Sequence, residues 1–239
     1  TPSASAANVI ENRPNAFRVC FGDPDQGILA AQDLAANFET IGAIYDTSDP
    51  YSAGIYEAFE AEMAKLNKTY EVRTFDKDNN KDFSAQVEAL KDCDVIFLPF
   101  YYTEAGLVAK TCAAKGCGAV LYGCDGLDGI AGQIDESVTS HIKYITPFDV
   151  NSTDEKTANF VKKYRETYNM EPSQFAADGY DAVYVIYEAM KAAGVNDVNI
   201  SASDLCNKVV AAITAEGFVY EGLTGIMTWD ASGAATKIP

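Results

Sequence analysis

Three residues in this chain fall where a parallel sheet would present them to a ligand. Tyr51 follows the apolar run Thr40–Tyr45 and its polar exit Asp46-Thr47-Ser48-Asp49-Pro50. Tyr101 sits in Phe100-Tyr101-Tyr102, directly after Asp94–Leu98, and Asp125 follows the run Ala119–Tyr122. If these runs are strands of one open parallel sheet, their carboxyl ends face the ligand crevice. A carboxylate between aromatic walls suits an ammonium group, through a charge-assisted hydrogen bond with cation–π support. The plainer alternative is that the tyrosines cap the sheet and Asp125 forms a turn.

Other combinations carry less chemistry. Asp76-x-Asp78-x-Asn80 resembles the start of a calcium loop, but Lys81 replaces the turn glycine and Val87 the bidentate glutamate. Gly123-Cys124-Asp125-Gly126-Leu127-Asp128-Gly129 lacks the G-x-G-x-x-G spacing, and its carboxylates would repel a phosphate. Neither a G-x-S-x-G elbow nor a P-loop occurs. His141 is the one histidine; adjacent Ser140 diverges from it, so it reads as an ordinary loop residue. The six cysteines form no C-x-x-C pair. No catalytic constellation, metal site or cofactor is expected.

The balance of 18 basic against 35 acidic residues gives a net charge of −17, which disfavours nucleic acid as a partner. With 239 residues the chain has room for one large α/β domain or two small ones, and its apolar runs fall short of the about 18 residues of a membrane helix. It opens on Thr1 without a leader pattern, so it is expected to be a processed or trimmed product.

The elements that must position the three residues follow from periodicity. Ile55, Phe59, Met63 and Leu66 mark a helix, Tyr70–Phe75 a strand, and Phe83, Val87 and Leu90 a second helix. A third helix is expected from an N-cap near Thr103 to Gly116. Strands alternating with helices imply βαβ units and a parallel sheet covered on both faces. Helices are further expected at 154–168, at 174–193 with Ala182, Val185, Ile186 and Ala189 buried, and at 203–215. A hairpin should close the chain around Asp230-Ala231-Ser232-Gly233. Residues 1–37 offer one strand, Phe17–Phe21, and one helix, Gln26–Ala36.

Across essentially its whole length the chain resembles the branched-chain amino-acid-binding proteins of ABC importers, the type I periplasmic binding proteins. The likeness lies in Thr1-Pro2-Ser3-Ala4-Ser5-Ala6, in Phe17-Arg18 with Asp25-Gln26-Gly27 (similar to an R-x-x-x-x-D-x-x-Q-G stretch), and in Tyr45-Asp46 with Tyr51-Ser52-x-Gly54. It continues through Asp82-Phe83-Ser84, Tyr122-Gly123-Cys124-Asp125-Gly126, Gly179-Tyr180-Asp181-Ala182 and Gly225-x-x-x-Trp229-Asp230-x-x-Gly233. The resemblance implies an α/β fold of two Rossmann-like lobes, each a parallel sheet flanked by helices, closing over a ligand by a hinge. It implies that Ser3 offers a backbone carbonyl and Ser5 a hydroxyl, that Tyr51 and Tyr101 close over the ligand, that Asp125 pairs with the α-ammonium, and that Phe175 lines the side-chain pocket.

Family members carry roughly a further hundred residues ahead of the Thr1–Ala6 loop. Lobe 2, residues 38–147 with 225–239, is therefore expected to be complete, and lobe 1, residues 1–37 with 148–224, to be a truncated remnant able to associate or swap through its exposed apolar surface. The expected function is capture of an amino acid, branched-chain or otherwise apolar, for a membrane permease. The chain would act in the periplasm or outside the cell, with or without a lipid anchor. The rivals are a ligand-sensing domain of a receptor or regulator with the same fold and, behind it, an α/β enzyme.

Overall fold

A computed structural model describes residues 1–238; Pro239 lies outside the described residues. The chain divides into two units, Asp23–Thr146 and Thr1–Gly22 with Pro147–Pro239.

The Asp23–Thr146 unit alternates helix and strand: α1 (Asp23–Asn37), β1 (Ile41–Asp46), α2 (Pro50–Lys65), β2 (Glu71–Phe75), α3 (Ser84–Leu90), β3 (Val95–Leu98), α4 (Tyr102–Lys115), β4 (Val120–Gly123) and β5 (Ile142–Tyr144). The sheet is parallel throughout, in the order β2-β1-β3-β4-β5. β3 shows why it must be covered on both sides. Its four residues are all fully buried; Ile96 and Leu98 join Phe83, Leu90 and Leu121 on one face, while Val95 and Phe97 join Phe59 and Ile55 on the other. Phe59 stacks on Phe97 with centroids 4.5 Å apart, and each such ring contributes on the order of 1.5–3 kcal/mol by burial.

Local chemistry sets the helix ends. Asp49 caps α2 by accepting the Tyr51 N–H, with Pro50 at the first helical position. α4 stops at Gly116, whose φ of 67° is left-handed backbone that glycine adopts without penalty. The expected cap at Thr103 is corrected: Tyr101 occupies the N-cap position without a side-chain bond, and Thr103 lies inside the helix. β5 was not anticipated, because three residues with Lys143 in the middle carry no apolar run.

The other unit contains α5 (Glu155–Tyr168), α6 (Gln174–Ala192), α7 (Ala202–Ile213) and an antiparallel sheet of β6 (Tyr220–Gly222), β7 (Gly225–Trp229) and β8 (Ala235–Ile238). The closing hairpin is the expected one. Buried polar groups hold this sheet to α6. The Asp181 carboxylate accepts from the Leu223 N–H (2.8 Å), the Thr224 N–H (3.0 Å) and the Thr224 hydroxyl (2.7 Å). Lys237 donates to the Thr224 hydroxyl (2.7 Å) and the Val19 carbonyl (2.8 Å), 3.6 Å from the Asp178 carboxylate.

Three expectations for this unit are corrected. Phe17–Phe21 joins no ladder and bends at Val19 and Cys20; isolated bonds hold it, among them those from the Arg18 N–H to the Gly233 carbonyl and from the Val19 N–H to the Thr1 carbonyl. Ile186 is 52% exposed, whereas Val185 and Ala189 of that face are buried in the core and Ala182 packs against it. Ile186 lines an apolar cavity of about 370 Å³ together with Phe17, Val19, Leu205, Val209 and Ile213. The division of the chain also differs from the expected boundaries. α1 packs on α2, which places residues 23–37 with 38–146, and the 225–238 hairpin pairs with β6, which keeps it with residues 147–224.

Candidate functional site

The connections from β1 and from β3 lead to opposite sides along the β2-β1-β3-β4-β5 order, so the switch point of the sheet lies between these two neighbouring strands. Open α/β sheets bind ligands at the carboxyl ends of the strands at that point. Tyr51, Tyr101 and Asp125 follow β1, β3 and β4 respectively, and the fold brings all three together. Tyr51 belongs to the first turn of α2 rather than to the preceding loop as the sequence implied, because the Asp49 cap starts the helix at Pro50.

The Tyr51 hydroxyl donates to Asp125 Oδ1 at 2.6 Å and accepts the Gly126 N–H at 2.9 Å. Gly126 is required there, since a Cβ would stand 2.7 Å from the Tyr51 hydroxyl and 3.0 Å from the Phe100 carbonyl. The Asp125 N–H donates to Gln26 Oε1 at 3.0 Å. Tyr51 and Tyr101 stack with centroids 4.8 Å apart and 21° between planes. Asp125 and Tyr51 are 5% and 7% exposed, whereas Tyr101 is 43% exposed. The result is a buried carboxylate behind a two-ring wall whose outer ring meets solvent.

The electrostatics are acidic. Burial, followed by the Asp49, Asp125 and Asp23 carboxylates, pushes the Tyr101 phenol up to about 12. Burial and then Asp125 push Tyr51 up as well. Burial opposes charge of either sign; the carboxylate share of these shifts is what favours a positive group beside the rings. Cation–π attraction to the ring faces adds to it.

The other expected site residues lie in the second unit. Ser3 is half-buried and Ser5 buried in the opening loop, and Phe175 is half-buried in the first turn of α6. The loop is held by Arg18, which is 3% exposed and donates from Nη1 to the Ser5 carbonyl and from Nη2 to the Ala6 carbonyl (2.8 Å). The Arg18 carbonyl in turn accepts the Trp229 indole N–H at 2.7 Å. Sequence reasoning gave no role to Arg18 or Gln26; their only signal was membership in the R-x-x-x-x-D-x-x-Q-G stretch.

His141 is exposed. Asp76 is engaged by the Asp78 and Asn79 N–H groups as a turn former (2.9 and 3.1 Å), and among the described residues no cluster could hold a metal ion.

A carboxylate and two stacked tyrosines thus gather at the switch point of a doubly covered parallel sheet, the place where α/β folds of this class bind ligands. The family model described as "Periplasmic binding protein" matches residues 2–237, and the chain belongs to that family. A Leu/Ile/Val-binding protein homologue of Brucella suis is 30% identical over 189 residues, covering 77% of this chain and 50% of the relative. The chain thus spans about half the length of that curated relative. Among solved structures, the branched-chain amino-acid substrate-binding protein LivJ of Streptococcus pneumoniae, in complex with isoleucine, superimposes with a TM-score of 0.83 at 27% identity, covering 99% of this chain and 66% of that one. The leucine-binding protein LivK of Thermotoga maritima gives 0.82 at 26%, covering 99% and 67%. The family and these relatives are binding proteins, not enzymes. Membership places the chain outside the cytoplasm, and among the described residues no helix is long and apolar enough to cross a membrane.

Proposed function

We propose that this chain captures an amino acid with an apolar, branched-chain type of side chain for an ABC importer, presenting it to the permease. The observation that carries the reading is Asp125, buried and bonded to Tyr51 within the aromatic wall. An α-ammonium is the group such a carboxylate receives best. A solute-binding protein of Rhodopseudomonas palustris in complex with benzoate shares the fold at 19% identity and a TM-score of 0.81. Asp125 argues for a cationic ligand group here, since a ligand whose only charge is a carboxylate would be repelled by it.

In this reading the Ser3 carbonyl and the Ser5 hydroxyl serve the head group, Tyr51 and Tyr101 cover it, and Phe175 lines the side-chain pocket. The apolar cavity beside Ile186 is the seat of further polypeptide, since the matched relatives carry a third or more of their length beyond the part this chain covers. Association or a swap through that face is the alternative use of it, and native mass spectrometry separates the two by the mass of what is bound.

Calorimetry on the complete protein with L-leucine, L-isoleucine, L-valine and benzoate tests the main reading. Binding of an amino acid but not benzoate is expected. Asp125→Ala should abolish it, a loss of ~3–5 kcal/mol, because the ammonium would be buried without its counter-charge. Undiminished affinity in that variant, or preference for benzoate, would overturn the assignment.

A further inference from the structure

The stretch R-x-x-x-x-D-x-x-Q-G holds two buried side chains, Arg18 at its start and Gln26 near its end, whose bonds lead to two different loops. We propose that Arg18 and Gln26 are positioning residues, Arg18 for the Ser3–Ala6 loop and Gln26 for Asp125; the proposal rests on the amino-acid-binding reading above.

Gln26 is 1% exposed, and its Oε1 accepts the Asp125 N–H at 3.0 Å. A main-chain N–H can bond only to the oxygen of the amide, so this contact fixes which way the side chain lies. Its Nε2 has no partner among the described residues. A buried amide satisfied on one side only is a poor stabiliser of a fold, so its value lies in what the oxygen does for the acid loop. The next residue sets the reach. A Cβ on Gly27 would overlap the Ile55 carbonyl and stand 2.8 Å from the Phe59 nitrogen, so α1 lies against α2 as closely as backbones allow. α2 carries Tyr51. The Asp125 loop is therefore held at three points from one locked helix pair: its N–H by Gln26, its carboxylate and the Gly126 N–H by Tyr51.

Arg18 plays the equivalent part in the other unit. Its own main chain is pinned by the Gly233 carbonyl (3.0 Å) and the Trp229 indole. From there the two ends of the guanidinium fork engage consecutive carbonyls, Ser5 and Ala6. A planar fork fixes two acceptors at once, which a lysine ammonium on a flexible stem does not. A loop that presents a carbonyl and a hydroxyl to a ligand needs its main chain fixed in this way.

The test combines amide hydrogen exchange with calorimetry on the complete protein, using L-leucine as the probe. Gln26→Met, close in size and without an acceptor, should speed exchange of the Asp125 amide and weaken L-leucine binding, each by about tenfold. Gln26→Glu, which keeps an acceptor, should leave that amide slow. Arg18→Lys should speed exchange at Val9, whose N–H bonds the Ala6 carbonyl. It should weaken L-leucine by a similar factor and leave Asp125 exchange unchanged. Unchanged Asp125 exchange in Gln26→Met, or faster exchange with full affinity, overturns the role of Gln26. Unchanged exchange at Val9, or full affinity, in Arg18→Lys overturns that of Arg18. If the unsubstituted protein binds none of L-leucine, L-isoleucine and L-valine, the amino-acid reading falls, while the exchange data still decide whether the two residues hold their loops.

Discussion

In the unit that carries Tyr51, Tyr101 and Asp125, helices cover both faces of a parallel sheet, and the residues of β3 are fully buried. In the unit that carries Ser3, Ser5 and Phe175, a three-stranded antiparallel sheet is tied to α6 by buried carboxylates and Lys237. Meanwhile Ile186, Leu205 and Val209 line an open apolar cavity. The first arrangement draws its stability from apolar layers. The second adds to two smaller apolar clusters a few polar bonds in a dry setting, where each partner lost leaves the others unpaired.

Substitutions should separate the two. Phe97→Ala removes a ring at the centre of the layered unit and should cost about 3–5 kcal/mol by thermal or urea unfolding. A cost below about 1 kcal/mol would mean that the sandwich is not what holds that unit. Asp181→Ala strands the Leu223 and Thr224 donors and should cost about 2–3 kcal/mol. If both variants shift one shared transition, the units fold together; separate transitions would show that each melts alone.

Alkali should discriminate next. The Tyr101 phenol titrates at about 12 in the folded chain, and Tyr51 is also raised, against an ordinary value near 10. Above pH about 10 the unfolded chain gives up protons that the folded one retains, so stability is intact below that pH and falls as pH rises towards about 12. Ultraviolet titration of the phenolates alongside unfolding checks the window; all fourteen tyrosines ionising at about pH 10 without loss of structure would contradict it. The smallest effect should come from Val209→Thr at the open cavity, within about 0.5 kcal/mol by urea unfolding of residues 1–239 alone. A larger loss would show that the cavity is closed by partners in solution.

The same contrast explains what could be read from the residues alone. Runs such as Asp94–Leu98 announce a strand because burial on both faces leaves no room for polar residues. Strand ends then locate Tyr101 and Asp125 without further knowledge. Tyr51 was placed near the site but on the wrong element, since the Asp49 cap decides where the helix begins. Ile186 fits a helical stripe, yet periodicity cannot tell whether a layer lies opposite. The roles of Gln26 and Arg18 stayed hidden because each acts on main-chain groups distant in sequence, Asp125 and Ser5. A main-chain partner leaves no mark in the partner's residue type.

Trp229 is the chain's one tryptophan, buried at 6% exposure and bonded to the Arg18 carbonyl. The layered unit contains tyrosines but no indole. Light absorbed at the red edge of the aromatic band therefore reports on the Arg18 side of the molecule alone. The protein carries its own optical label for the loop of Ser3 and Ser5, with the tyrosine wall around Asp125 left dark.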